Sequence, residues 1–281
     1  MVAAPQQSIY WLALELAVFG FFGVGAIANV WFWLRAASVP NRKVAARPLD
    51  RFTPHGMVAL PRPSTFGRFL LDALFQRRLL RVSTWRWLAH SLMFWGSIIL
   101  FFVGSMGLML AEKGLLPLTK DTPWFAAVND SAGLMVILGV VMSVYRYYRV
   151  EEQQSITSRE GLLWLVLLGM IVLSGYVLES ARLVGESVSP GAGRYSFVGY
   201  ALAGVASHLF PNWAGAYRVF WWVHAGSAMA LVAAIPYGRL FHMFASPLAI
   251  ALNLANSGRS LPTDSRGVLV EREAVHAGKG R

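Results

Sequence analysis

The sequence contains no cysteine. That absence excludes disulfides, thiolate metal ligands, cysteine-anchored iron-sulfur clusters and c-type haem attachment, so any redox centre here is held by other side chains. Charge is scarce too: Asp, Glu, Lys and Arg make up 14% of 281 residues, where soluble domains carry roughly 25%. No Lys or Arg precedes Ile9, unlike the basic start of a secretory signal. No internal repeat of the transporter kind is recognisable. What remains is apolar, with hydrophobic residues at 56% and a mean hydropathy of +0.50. The chain reads as an integral membrane protein. Its 11 Trp, 17 Phe and 9 Tyr suit helix ends that lie at headgroup level.

A helix needs about 20 mainly apolar residues to cross the hydrocarbon core. Five stretches qualify, running approximately from Ile9 to Leu34, Leu88 to Ala111, Phe125 to Tyr145, Gly161 to Leu178 and Ala216 to Phe244. The expected fold is therefore an all-α integral membrane bundle of five transmembrane helices. The first run exceeds a signal core of about 7 to 15 residues and is expected to be an uncleaved span. Tyr195 to Phe210 is apolar but spans only 16 residues, which suits an interfacial or re-entrant helix better than a crossing.

Five spans put 20 of the 25 Lys and Arg on one side, leaving Lys113, Lys120, Arg182, Arg194 and Arg218 on the other. The positive-inside rule then sets the N-terminus outside and the C-terminus in the cytoplasm of a bacterial-type inner membrane. The formal charge of +11 is thereby explained by lipid headgroups, with no nucleic acid required. Residues 1–258 form the membrane domain, with a basic cytoplasmic loop over 35–87. Residues 259–281 form a polar cytoplasmic tail, expected to be disordered. The loop holds Pro48, Pro54, Pro61, Pro63 and the basic run Gln76 to Arg81, suited to headgroup binding or to docking a cytoplasmic partner.

Ionisable residues at membrane depth are costly and mark function by default. His90 falls one turn into the second span on its cytoplasmic side, His224 in the outer half of the fifth, and His242 at the cytoplasmic end of the fifth. His224 and His242 are 18 residues apart, five whole turns of one straight helix, so they are expected on one face. Each imidazole is a candidate axial ligand to a haem held between helices. His90 lies at the depth of His242, because the second span rises from the cytoplasm while the fifth descends into it. A lone helix-end histidine is more often an interfacial polar group, and it is this pairing at matched depth that favours ligation. His208 falls in the outer loop and His55 and His276 in inner polar segments, where solvent exposure is expected. Gly96, Gly104, Gly107, Gly226 and Gly238 are candidates for close approach of a porphyrin edge, although glycine is also frequent at plain helix contacts. Pro236 is expected to bend the fifth helix. Arg239, one turn before His242, is a candidate partner for a haem propionate or a snorkelling interfacial arginine.

Toward the outer face the sequence places Glu112, Asp130, Glu179 and Arg182. Glu179 and Arg182 at i, i+3 are read either as a helix-end ion pair or, with Asp130 and Glu112, as a quinone pocket. A quinone needs a hydrogen-bond donor at its carbonyls and a group that trades protons with water.

Four stretches carry a family resemblance: Arg77-Arg78-Leu79-Leu80-Arg81 leading to His90-Ser91-Leu92-Met93-Phe94-Trp95-Gly96; Asp130-Ser131-Ala132-Gly133; Ser174-Gly175-Tyr176-Val177-Leu178-Glu179 with Arg182; and Trp221-Trp222-Val223-His224 continuing through Ile235-Pro236-Tyr237-Gly238-Arg239-Leu240-Phe241-His242. They resemble the gamma, cytochrome b subunit of respiratory nitrate reductases. Closer still is the likeness to the membrane cytochrome b subunits of heterodisulfide-reductase-type quinone-linked complexes. The resemblance covers most of residues 65–250. It implies five helices with the N-terminus outside, two b haems stacked across the membrane, a quinone site near the outer haem, and a cytoplasmic partner bearing iron-sulfur clusters.

Carried over residue by residue, the inner haem iron takes His90 and His242, and His224 is one ligand of the outer haem. Relatives place a second histidine near the outer end of the second span, where this chain has Ala111-Glu112-Lys113. An outer haem is then missing, five-coordinate through His224, or completed by Met106, Met109, Glu112 or His208. The expectation is an electron-transfer subunit with one inner haem b and an open second site. It would exchange electrons between quinone and a cytoplasmic iron-sulfur or flavin protein, in either direction. The rival is a haem-free membrane anchor or a small proton-coupled transporter using the same histidines and carboxylates.

Overall fold

The computed structural model describes residues 9–36, 63–149, 159–209 and 213–256, and among them every regular element is helical. Four helical stretches are long and apolar enough to cross a membrane: Thr84–Glu112, Pro123–Arg149, Gly161–Gly185 and Gly215–Tyr237. They match the second to fifth expected spans, most with longer ends. The first expected span lies in α1, Ile9–Ala36, whose apolar stretch among the described residues, Ala13–Asn29, is shorter than those four. The tail 259–281, Pro48, Pro54, Pro61, His55 and His276 lie outside the described residues.

The chain divides into two units, one of residues 1–32 with 76–241, the other of residues 33–75 with 242–281. In the second unit, α2, Pro63–Ala73, packs on α10, His242–Asn256. Part of the stretch read as loop is thus helical. The sequence of α2 explains this, because Phe66, Phe69, Leu70 and Ala73 fall at helical spacing on one face.

The first unit contains the remaining helices. A single basic turn and a half, α3, Arg77–Val82, leads into α4, Thr84–Ile99. Ser83 caps α4, its hydroxyl accepting from the Arg86 N–H at 3.4 Å. The helix widens into a π-helix over Leu100–Gly107 and closes with α5, Leu108–Glu112. Then come α6, Pro123–Arg149, and α7, Arg159–Gly185. After a turn at Pro190–Gly193 follow α8, Phe197–Leu209, and α9, Trp213–Ala234. The omitted apolar stretch is therefore α8, a 13-residue helix packed on α7 and α6, too short to span.

Bare backbone lets these helices approach. A Cβ on Gly96 would stand 2.7 Å from the Ala132 carbonyl oxygen, one on Gly139 2.6 Å from the Ala89 oxygen, and one on Gly169 3.3 Å from Val140. Residue numbers rise on one helix as they fall on the next, so α4, α6 and α7 are successive antiparallel neighbours around Val136, Val140, Val172 and Tyr176. Small residues at such crossings are the usual means of membrane helix packing, where apolar burial drives little. Gly96, Gly104, Gly107 and Gly238 face Val136, Asn129, Phe125 and Trp164. Four of the five glycines considered for a porphyrin edge thus serve protein contacts, while Gly226 faces open space.

The fifth span departs from expectation. It was read as one helix to Phe244, but α9 ends at Ala234 and is followed by 3-10 turns at Ile235–Tyr237 and Arg239–Phe241, with Gly238 extended between them. Pro236 causes the break, having no N–H to donate and a ring that clashes with the preceding turn. The freed Pro236 carbonyl is not left bare, because Asn29 Nδ2 on α1 donates to it at 2.6 Å. The Tyr237 hydroxyl likewise donates to the Phe21 carbonyl at 2.8 Å. His242 consequently opens α10, and counting five turns of one helix from His224 to His242 does not hold.

The glycine crossings give a direct test. Gly139→Ala is expected to destabilise the purified protein by about 1–3 kcal/mol, whereas Gly226→Ala, with no atom within 4 Å of its Cβ position, is tolerated. Thermal unfolding in detergent reads both, and equal midpoints for the two variants would contradict the crossing.

Candidate functional site

Helix α4 presents Arg86, Ala89, His90 and Met93 at i, i+3, i+4 and i+7, and α6 presents Met142, Ser143 and Arg146. They line a cavity of about 400 Å³ that is completed by Leu79, Trp85 and Leu165. Its wall is mostly apolar with a few convergent polar groups, the composition of a ligand site. His90 Nδ1 lies 2.7 Å from Gln76 Oε1. This contact fixes the orientation of the His90 ring. Gln76 is held for this by a left-handed backbone, φ 52° and ψ 39°, at the start of α3. No sequence pattern singled it out.

His224 is fixed in the same way from another helix. Its Nδ1 lies 3.0 Å from the Ile171 carbonyl oxygen and 3.1 Å from Ser174 Oγ, both on α7. Gly175 makes the room, since a Cβ there would meet His224 Cε1 at 3.1 Å. The carbonyl assigns the proton to Nδ1 and frees Nε2. Iron-ligating imidazoles characteristically donate their other ring N–H to a carbonyl or carboxylate, which fixes tautomer and orientation. His90 and His224 both satisfy that requirement, so the residues present fit axial haem ligation. His242 belongs to the second unit, as the first residue of α10. Arg239 does not line the cavity, whereas Arg86 and Arg146 do. Met106, Met109, Glu112 and His208 are all exposed.

The outer polar residues come together, in a different arrangement from a simple pocket. Arg182 is 3% exposed and meets three carboxylates: Glu179 through two hydrogen bonds of 2.8 and 3.0 Å, Asp121 at 2.8 Å and Glu186 at 3.0 Å. Ser196, at the N-terminus of α8, donates to Glu179 Oε1 at 2.9 Å, so its hydroxyl is directed away from the helix it precedes. Asp130 takes over the cap. At 2% exposure its Oδ2 accepts from the N–H groups of Val198 and Gly199 at 2.7 and 3.4 Å, and a negative charge at a helix N-terminus is favourable. The Tyr176 hydroxyl donates to the Asp130 carbonyl at 2.6 Å. Asp130 and Arg182 therefore have their polar atoms engaged by protein, and the pair Glu179–Arg182 is part of a larger ion network. Sequence reading missed Asp121, Glu186 and Ser196; Glu186 lies one turn beyond Arg182, while Asp121 and Ser196 come from segments distant in sequence. Tyr217 on α9 lies within electrostatic range of Glu112, Glu179, Arg182 and Glu186.

A helical bundle with four stretches long and apolar enough to cross a membrane defines a multi-pass membrane protein. The chain belongs to the nitrate reductase gamma subunit family, whose profile matches residues 73–254. It is 27% identical over 258 residues to the EtfAB:quinone oxidoreductase of Syntrophomonas wolfei, covering 87% of this chain and 33% of that protein. It is also 27% identical over 196 residues to a subunit of the dihydromethanophenazine:CoB–CoM heterodisulfide reductase of Methanosarcina barkeri, covering 67% of this chain and 65% of that protein. The Methanosarcina acetivorans protein of the same name is 30% identical over 199 residues, with coverage of 67% and 65%. The chain thus spans about a third of the first relative's length and just under two thirds of the others'. No solved structure matches it.

Asp130→Ala strands two N–H groups of α8 and is expected to cost about 1–3 kcal/mol, with Asp130→Asn closer to wild type because an amide oxygen still accepts. Hydrogen exchange over residues 197–203 checks this: fast exchange in the Ala variant alone is the expected result, and unchanged protection would contradict the cap.

Proposed function

We propose that this chain is a haem b-bearing membrane subunit of a quinone-linked oxidoreductase complex, carrying electrons between the quinone pool and a cytoplasmic partner with iron-sulfur or flavin centres. The observation that carries the reading is the anchoring of two histidine rings inside the bundle, His90 Nδ1 2.7 Å from Gln76 Oε1 and His224 Nδ1 3.0 Å from the Ile171 carbonyl oxygen, in a chain of this family. The relatives' printed names, a quinone oxidoreductase and a heterodisulfide reductase component, support the quinone link.

When bound, haem supplies one-electron transfer tuned by its axial ligands and burial. The chain's part is to orient the imidazoles through Gln76, Ile171 and Ser174, and to offer Arg86 and Arg146 to carboxylates entering the cavity beside His90. His242 stands as a further axial ligand on the family pattern. Glu112 and the partly exposed Glu179 are the outer carboxylates proposed to trade quinone protons with water, and Asp130 and Arg182 hold that end of the bundle in shape.

The reading includes five spans with the N-terminus outside, in the cytoplasmic membrane. In its support, α1 runs parallel to α9, with Trp11 against Trp221 near one end and Gly25 against Pro236 near the other. That is the direction a fifth, first-in-sequence span requires. On the side of His90, α3 carries Arg81 and the ends of α4, α6 and α7 carry Arg86, Arg146, Arg149 and Arg159, as cytoplasmic ends do.

Haem per polypeptide and the reduced spectrum, measured on purified single variants, test the assignment. His90→Ala is expected to remove one haem absorbance, with His242→Ala reproducing that loss and His224→Ala sparing it. Equal loss in all three variants would contradict the separation of the ligands by depth.

A further inference from the structure

Gln76 meets the ring of His90 from fourteen positions away in sequence, with Oε1 at 2.7 Å from Nδ1. Its backbone is unusual. It stands just before α3 with φ 52° and ψ 39°, and among the described residues only Gln76 and Ser187 are non-glycine positions of positive φ. The left-handed region crowds Cβ against the following carbonyl, so glycine or asparagine occupies it at less cost than glutamine. The Gln76 carbonyl is committed too, accepting from the Leu79 and Leu80 N–H groups at 2.8 and 3.2 Å as α3 begins. The backbone is thus turned and tethered, and the side chain is delivered to α4. Such strain persists where the surrounding structure over-determines it, and it gathers at functional sites. Helix α3 buries no residue of its own, so the core does not account for a glutamine at this turn.

The contact has a chemical consequence. A neutral imidazole that ligates iron through one ring nitrogen carries its proton on the other. At His90 the nitrogen facing Gln76 is then the N–H, and the amide turns its oxygen to receive it. The strength of that acceptor governs how much electron density the ring passes to the metal. A carboxylate accepts more strongly than a neutral amide, and an apolar side chain does not accept. Hydrogen bonding to an axial ligand is one of the levers by which a protein sets the potential of a haem. At His224 the neighbours of Nδ1 are the Ile171 carbonyl and Ser174 Oγ. The two rings are therefore held by different groups from different segments, and a change at Gln76 acts on one of them.

We propose that Gln76 is a positioning residue that sets the reduction potential of the iron ligated by His90. Its neutral amide, aimed by the left-handed turn, holds the ring in one orientation and keeps the site easier to reduce than an acidic acceptor would. The assignment rests on the haem-bearing reading for the cofactor. It goes beyond that reading by giving control of the potential to a residue that ligates nothing.

The experiment is an optical redox titration of the full-length, haem-loaded protein at pH 8, well above the ordinary range of a glutamate, with an EPR spectrum of the oxidised form. Gln76→Glu strengthens the acceptor, and Gln76→Met removes it at similar volume. Gln76→Gly removes it while favouring the left-handed turn, which separates loss of the amide from loss of the fold. The component followed is the one that His90→Ala abolishes, and Ser174→Ala is the control at His224. The expected result is a midpoint lowered by about 59 mV in the Glu variant, tenfold in a one-electron equilibrium. In the Met and Gly variants it rises by about threefold in the same equilibrium, and the low-spin EPR signal moves in all three while Ser174→Ala leaves this component alone. Unmoved potentials, or shifts of one sign in all three variants, overturn the assignment, because a merely structural residue does not distinguish an acid from an apolar side chain. A wild-type protein without a b-type band removes the haem reading and this assignment with it, whereas a normal band with unmoved potentials removes this assignment alone.

Discussion

Along α6, glycine lets one helix backbone rest on the next, and the geometry of the bundle follows from those contacts. Gly139 brings the α4 backbone to Ala89 and Met93, and Gly133 admits the Tyr176 ring from α7. In water such crossings would be a minor part of a hydrophobic core. In lipid they are the main means of holding helices together, because tails solvate apolar side chains as well as a neighbouring helix does. Ala89 and Met93, which meet Gly139, also line the cavity beside His90. Packing and site are thus one constraint seen from two ends.

Three polar contacts in this frame answer specific local needs. Asp130 caps a helix whose own first serine is engaged elsewhere, Asn29 covers the carbonyl freed by Pro236, and the Ile171 carbonyl and Ser174 share the proton of His224. The low dielectric that makes an unpaired group costly makes such pairs selective. A histidine whose proton is committed on one side is ready to ligate on the other. The proposed haem-bearing reading rests on that kind of anchoring at His90 and His224.

Much of this was legible in the sequence, and the failures have physical causes. Hydropathy located the second to fifth spans because length and apolarity are what the bilayer demands. The short apolar stretch after Tyr195 was correctly kept out of the spans, since its 13 helical residues are too few. The histidines stood out because charge at depth is rare. What failed was the straight-helix count from His224 to His242: Pro236 was expected to bend the helix, but with Gly238 two residues later it ends it. Glu186, at i+4 from Arg182, was open to the same spacing argument as Glu179, but periodicity could not show that Arg182 gathers Asp121 from another segment, or that Gln76 would hold His90, because those partnerships depend on how the chain folds back. Most of the glycines thought suitable for a cofactor were taken by neighbouring helices, the more frequent use of glycine in membranes.

The central claim is that this chain carries haem b on histidines. A reduced-minus-oxidised absorbance spectrum of the purified, folded protein tests it most directly. The expected result is a b-type band accompanied by about one haem per polypeptide or more. A helical, monodisperse protein with no such band would contradict it.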